Sequence, residues 1–78
     1  MIKKVRLIIS GRVQGVGFRF WVKGKVKELG LNGWVRNLET GQVEVVLEGE
    51  ESLVKKMVSE CRQGPMLARV DKMEVFEG

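Results

Sequence analysis

Residues 3–30, KKVRLIISGRVQGVGFRFWVKGKVKELG, change their hydrophobic period part-way along, and that change sets the fold. Val5, Leu7 and Ile9 occupy every second position, the spacing of a strand with one buried face. Phe18, Val22, Val26 and Leu29 then recur at helical spacing and form the stripe of an amphipathic helix. Gly30 stands where a glycine ends a helix, and Leu31 is placed to pack back on Val26. Between the two periods lies GRVQGVG, residues 11–17, with glycine at 11, 15 and 17.

The rest of the chain falls into place around this unit. WVRNLETGQVEVVLEGE, residues 34–50, reads as a hairpin: a strand from Trp34 to Leu38, a turn at Thr40-Gly41, and a strand lined by Val43, Val45 and Leu47. EESLVKKMVSECRQGP, residues 50–65, reads as a second helix. Leu53, Met57 and Cys61 form its stripe, Val54 and Val58 flank it, Glu50 and Glu51 favour its start, and Gly64-Pro65 stop it. ARVDKMEVF, residues 68–76, is the last strand.

The order β-α-β-β-α-β predicts an α+β, ferredoxin-like fold of one domain, residues 1–78. Right-handed crossovers put both helices on one face of a four-stranded antiparallel sheet with strand order 4-1-3-2. The first and second strands then run parallel, and their C-terminal ends share one edge of the sheet. The glycine loop and the end of the Trp34 strand are thereby neighbours.

Composition removes several chemistries. The chain has no histidine and a single cysteine, Cys61. Zinc sites, Ser-His and Cys-His pairs, histidine acid-base catalysis and an internal disulfide are excluded. No metal or cofactor is expected. No apolar run suits a membrane span or a secretion signal, so a cytoplasmic protein without membrane contact is expected. Charge is uneven: residues 1–36 hold nine Lys or Arg and one acid, whereas residues 37–78 hold five basic and nine acidic residues. A basic half suggests an anionic partner. Solvated lysines such as Lys23, Lys25 and Lys27 explain part of it as well.

The loop has two readings. A Gly-rich connector followed by a surface arginine is the plainer one. Alternatively, glycine amides and the unpaired N–H groups of the helix start cradle an anion, with Arg19 as a bidentate clamp. The P-loop and dinucleotide glycine patterns do not match, which disfavours nucleotides. Asn37 bears on the choice. Asparagine is a poor strand former, yet it sits near the end of the second strand, on the same sheet edge as the loop. A neutral amide there is suited to orienting a water beside a bound phosphate.

GRVQGVGFR, GWVRN and GQVEVVLEG together closely resemble the acylphosphatase family, from Val5 to about Val75. The resemblance implies hydrolysis of the carboxyl-phosphate bond of acyl phosphates to a carboxylate and inorganic phosphate. It implies Arg19 as the catalytic phosphate-binding arginine and Asn37 as the residue that positions the attacking water. Gln14, Gly15, Val16, Gly17 and Phe18 would supply the amide cradle around phosphate or other anions. Leu38 departs from the Thr or Ser that members often carry there. Members also usually continue into a fifth strand beside the second. This chain's last residue is Gly78, so a monomer is expected whose second strand is an edge open to pairing with another molecule, opposed by the charge of Arg36.

Two other readings use the same fold. An RNA-recognition module stacks bases on strand aromatics, but QVEVVLEGE has none and carries three acids, which disfavours nucleic acid. An acylphosphatase-like module without catalysis would bind a phosphorylated ligand. Such domains also occur in larger proteins that handle carbamoyl phosphate, although a free-standing enzyme is the simpler expectation. Trp21 and Trp34 are expected to be packing residues.

Overall fold

The computed structural model describes every residue from Met1 to Gly78. In chain order it contains β1 (Ile2–Arg12), α1 (Phe18–Glu28), β2 (Asn32–Asn37), β3 (Val43–Glu50), α2 (Glu51–Gln63) and β4 (Arg69–Glu77). The strands form one sheet in the order β2-β3-β1-β4, every neighbouring pair antiparallel. This is the expected ferredoxin-like order, seen from its other edge. β2 is an edge strand, bonded to β3 alone.

Alternation decides which face is buried. Val5, Leu7 and Ile9 of β1 and Val43, Val45 and Leu47 of β3 all point to the helix side, where none is more than 2% exposed. α2 covers β1, β3 and β4 with Val54, Met57 and Cys61, while α1 lies over edge strand β2 and buries Phe18 and Val22. Two sequence expectations need adjusting. Val26 and Leu29 of α1 are only partly buried, because a helix over a sheet edge has fewer strands beneath it. On α2, Val54 rather than Leu53 leads the buried stripe.

Helix ends follow their local sequence. Leu31 N–H donates to Val26 O at 2.9 Å and Gly30 N–H to Lys27 O at 3.2 Å, the Schellman pair that the Gly30 position predicts. Glu50 caps α2, its carboxylate accepting the Ser52 N–H at 2.9 Å. Gly24, inside α1, has negative φ, and a Cβ added there meets nothing within 4 Å. Gly24→Ala should therefore stabilise the protein by about 1 kcal/mol. A denaturant midpoint that rises without a change in slope is the expected result.

No helix covers the other face of the sheet, and a ladder of side chains crosses all four strands there. Arg6 lies over the Phe76 ring at 4.7 Å, Arg36 over Trp34 at 5.3 Å, and both arginines donate to Glu44, at 3.0 and 2.7 Å. Trp34 thus packs on this outer face, half exposed, and not in the core. Glu44 is 5% exposed, an ionised group kept tolerable by two partners. The Arg36 hydrogen bond, with that of Arg6, holds its carboxyl below the ordinary value of 4.5, against the opposing effect of burial. A depressed folded-state pKa stabilises the fold above the ordinary value, and this contribution is lost as pH falls through the folded value. Glu44→Gln should cost about 1–2 kcal/mol at neutral pH. Its stability should also fall less steeply than the wild type's on acidification below about pH 4.5, as denaturant melts would read.

Candidate active site

The core pins the loop between β1 and α1 at both ends. Val13 and Phe18 are each 1% exposed, so residues 14–17 span a gap whose two ends are packed into the core. Phe18 is held further by Trp21, whose ring meets it edge-on at 5.6 Å. Within the loop, Gly15 (φ 74°) and Gly17 (φ 79°) adopt the left-handed conformation. A Cβ at either would meet nothing within 4 Å, so backbone conformation, and not crowding, selects glycine. Gly17 is the N-cap of α1 and offers no capping side chain.

The consequence is a run of free donors. The N–H groups of Gly15, Val16, Gly17, Phe18, Arg19 and Phe20 find no acceptor among the turn, loop and cap hydrogen bonds of the backbone. No side chain accepts from them either. They gather at the positive end of the α1 dipole, an arrangement suited to an anion.

Sheet register brings Asn37 to the same place. Ile9 pairs with Val43, and Val43 pairs with Asn37 across the next ladder. Asn37 therefore stands level with the end of β1, on the face that α1 covers. Its side-chain amide makes no hydrogen bond within the protein. Gln14 ties the two segments together. Its side-chain amide nitrogen donates to Leu38 O at 2.9 Å and to Gln42 O at 2.8 Å, clamping the loop to the hairpin just beyond Asn37. Gln42 in turn donates to Ser10 Oγ at 2.8 Å, which fastens the turn to β1.

These elements enclose an open cavity of about 320 Å³, lined by Gly15, Gly17, Phe18, Arg19 and Asn37, with Val13, Phe20 and Lys23 completing the wall. Two cations line it and no carboxylate does. Neither Arg19 nor Lys23 has an acidic partner within 4.0 Å, whereas Lys25, nearby on α1, is held by Glu28 and Glu60. An uncompensated positive potential in a concave site attracts anions. Cys61 lies elsewhere, wholly buried, and burial pushes its thiol up to about 12. It is no nucleophile.

A family model described as Acylphosphatase matches residues 5–78. The chain belongs to the acylphosphatase family. An acylphosphatase of Roseiflexus sp. is 54% identical over 72 residues, covering 92% of this chain and 77% of that one. The crystal structure of the Bacillus subtilis acylphosphatase superposes with a TM-score of 0.93 at 37% identity, covering all of this chain and 86% of the other. The same fold occurs within a much longer protein: full-length HypF, in its phosphate- and nucleotide-bound form, matches all of this chain with a TM-score of 0.91 and 33% identity, over 10% of its own length.

Set beside the acylphosphatase expectation, the residues divide into three groups. Gly15, Gly17, Phe18, Arg19 and Asn37 share the cavity. Gln14 and Val16 do not line it: Gln14 is a strut to the hairpin, and the Val16 side chain packs on the core. Phe20, Lys23 and Val13 line the cavity without having been singled out as site residues. The sequence groups Lys23 with the solvated lysines of α1; its spacing of one helical turn from Arg19 is the signal that could have found it.

Proposed function

We propose that this chain hydrolyses the carboxyl-phosphate bond of acyl phosphates, yielding a carboxylate and inorganic phosphate. One observation carries the proposal. A run of acceptor-free amides, an unpaired arginine and an unbonded asparagine amide converge on a cavity that has no carboxylate.

The chemistry asks for little more. The leaving carboxylate has a conjugate-acid pKa of roughly 4, so it departs without a general acid, and a chain without histidine is equal to the task. What is needed is to hold three phosphoryl oxygens, offset their charge, and set a water in line with the departing group. The acceptor-free amides from Gly15 to Phe18 and the Arg19 fork bind the oxygens, most strongly as charge redistributes in the transition state. The Asn37 carbonyl oxygen accepts a hydrogen bond from the water. Glu28 belongs to the far end of α1, beside Lys25, so the proton passes to the phosphate or to solvent.

No metal is required on this reading. It is supported by the donor set, since no three His, Cys, Asp or Glu side chains converge anywhere in the molecule. The protein acts as a monomer, and inorganic phosphate competes for the same cradle. A cytoplasmic location belongs to the same reading, supported by a chain that uses no disulfide.

Steady-state release of phosphate from benzoyl phosphate and acetyl phosphate, with and without EDTA, tests the proposal. Turnover of both at rates EDTA does not change is expected. No turnover of either would overturn it, and turnover abolished by EDTA would overturn the metal-free route.

A further inference from the structure

The phosphoryl cradle accounts for the glycines, Arg19 and Asn37, but leaves two solvent-facing cavity residues unused. Phe20 is 84% exposed at the first turn of α1, next to Arg19. Lys23 lies one helical turn beyond Arg19, exposed and without an acidic partner. Both line the cavity that Arg19 and Asn37 share. At about 320 Å³ this cavity has room beyond a phosphoryl group, within the range of small-molecule sites.

The geometry points to Phe20 and Lys23 as the acyl subsite, with Lys23 favouring acyl phosphates whose acyl group carries a negative charge of its own. The inference rests on the acyl phosphate reading above. Phe20 offers an apolar ring to the body of the acyl group, and placing the ring beside a cation suits a group that is apolar near the carbonyl and anionic at its far end. With no carboxylate in the wall, nothing repels such a substrate. The exposed lysine contributes a point charge rather than a fixed fork, so the preference is modest and sensitive to salt.

The test compares kcat/KM for para-carboxybenzoyl phosphate with that for para-methylbenzoyl phosphate, substrates of similar shape that differ in charge. In Lys23→Gln the ratio should fall about two- to fivefold from its wild-type value, the effect of one exposed ion pair. Lys23→Arg should keep it, and added salt should lower it more in the wild type than in Lys23→Gln, where Arg19 is the cation that remains. Because both substrates share the phosphoryl group, an effect on phosphoryl binding cancels in the ratio, but a general loss of positive potential does not. Lys27→Gln, which removes the same charge from an exposed position of α1 outside the cavity, should leave the ratio unchanged, and an equal fall there would overturn the subsite. Phe20→Ala should lower kcat/KM for both aromatic substrates relative to acetyl phosphate, without changing their ratio. A ratio unchanged in Lys23→Gln, with both substrates still hydrolysed, would overturn the subsite and leave the acyl phosphate reading standing. Wild-type protein that hydrolyses neither substrate would overturn both.

Discussion

Arg19→Ala should lower kcat/KM for benzoyl phosphate by at least about a hundredfold and abolish competitive inhibition by inorganic phosphate. The fold should survive, because Arg19 is exposed and makes no ion pair that its removal would break. Loss of a charge-assisted, bidentate contact to a group that gains its tightest hold in the transition state costs about 3 kcal/mol or more. Arg19→Lys should recover only part of this, since an ammonium keeps the charge but not the fork. A variant with alanine here that kept most of its activity would remove Arg19 from the site.

Asn37→Ala should separate turnover from binding. In the proposed mechanism Asn37 acts on the water and not on the phosphoryl group, so kcat should fall by about a hundredfold or more while the inhibition constant for inorganic phosphate stays close to wild type. The register places Asn37 beside the cradle, and its free amide is not a structural tie, so stability should hardly change. Asn37→Asp should fail as well, because a carboxylate beside bound phosphate repels it. A loss of phosphate affinity in Asn37→Ala matching that of Arg19→Ala would assign Asn37 to the cradle instead.

How far the sequence led is best judged from particular residues. Period alone identified β1 and α1, and the placing of Gly30 and Leu31 anticipated both bonds of the helix end. Topology then did what no local pattern does: parallel β1 and β2 brought residues 11–17 and Asn37 to one edge, and the cavity lies there. The Gln14 strut was not legible, because a glutamine amide finds carbonyls only once β2 and β3 have closed their turn. Glu44 is a similar case. Alternation predicts a polar, outward residue, but its burial depends on Arg6 and Arg36 meeting over it from two other strands. Trp34 belongs to the same ladder, and only the register shows that Arg36, not the core, covers it. Phe20 reads as an incidental exposed aromatic until the cavity gives it a neighbour in Lys23.

The most direct measurement is the fate of solvent oxygen. Benzoyl phosphate hydrolysed by the wild-type protein in water labelled with heavy oxygen should yield labelled inorganic phosphate and unlabelled benzoate if, as proposed, a water held by Asn37 attacks phosphorus and the carboxylate leaves. Label in the benzoate would mean attack at the acyl carbon, and would contradict the reading of the loop, Arg19 and Asn37 as machinery for phosphoryl transfer to water.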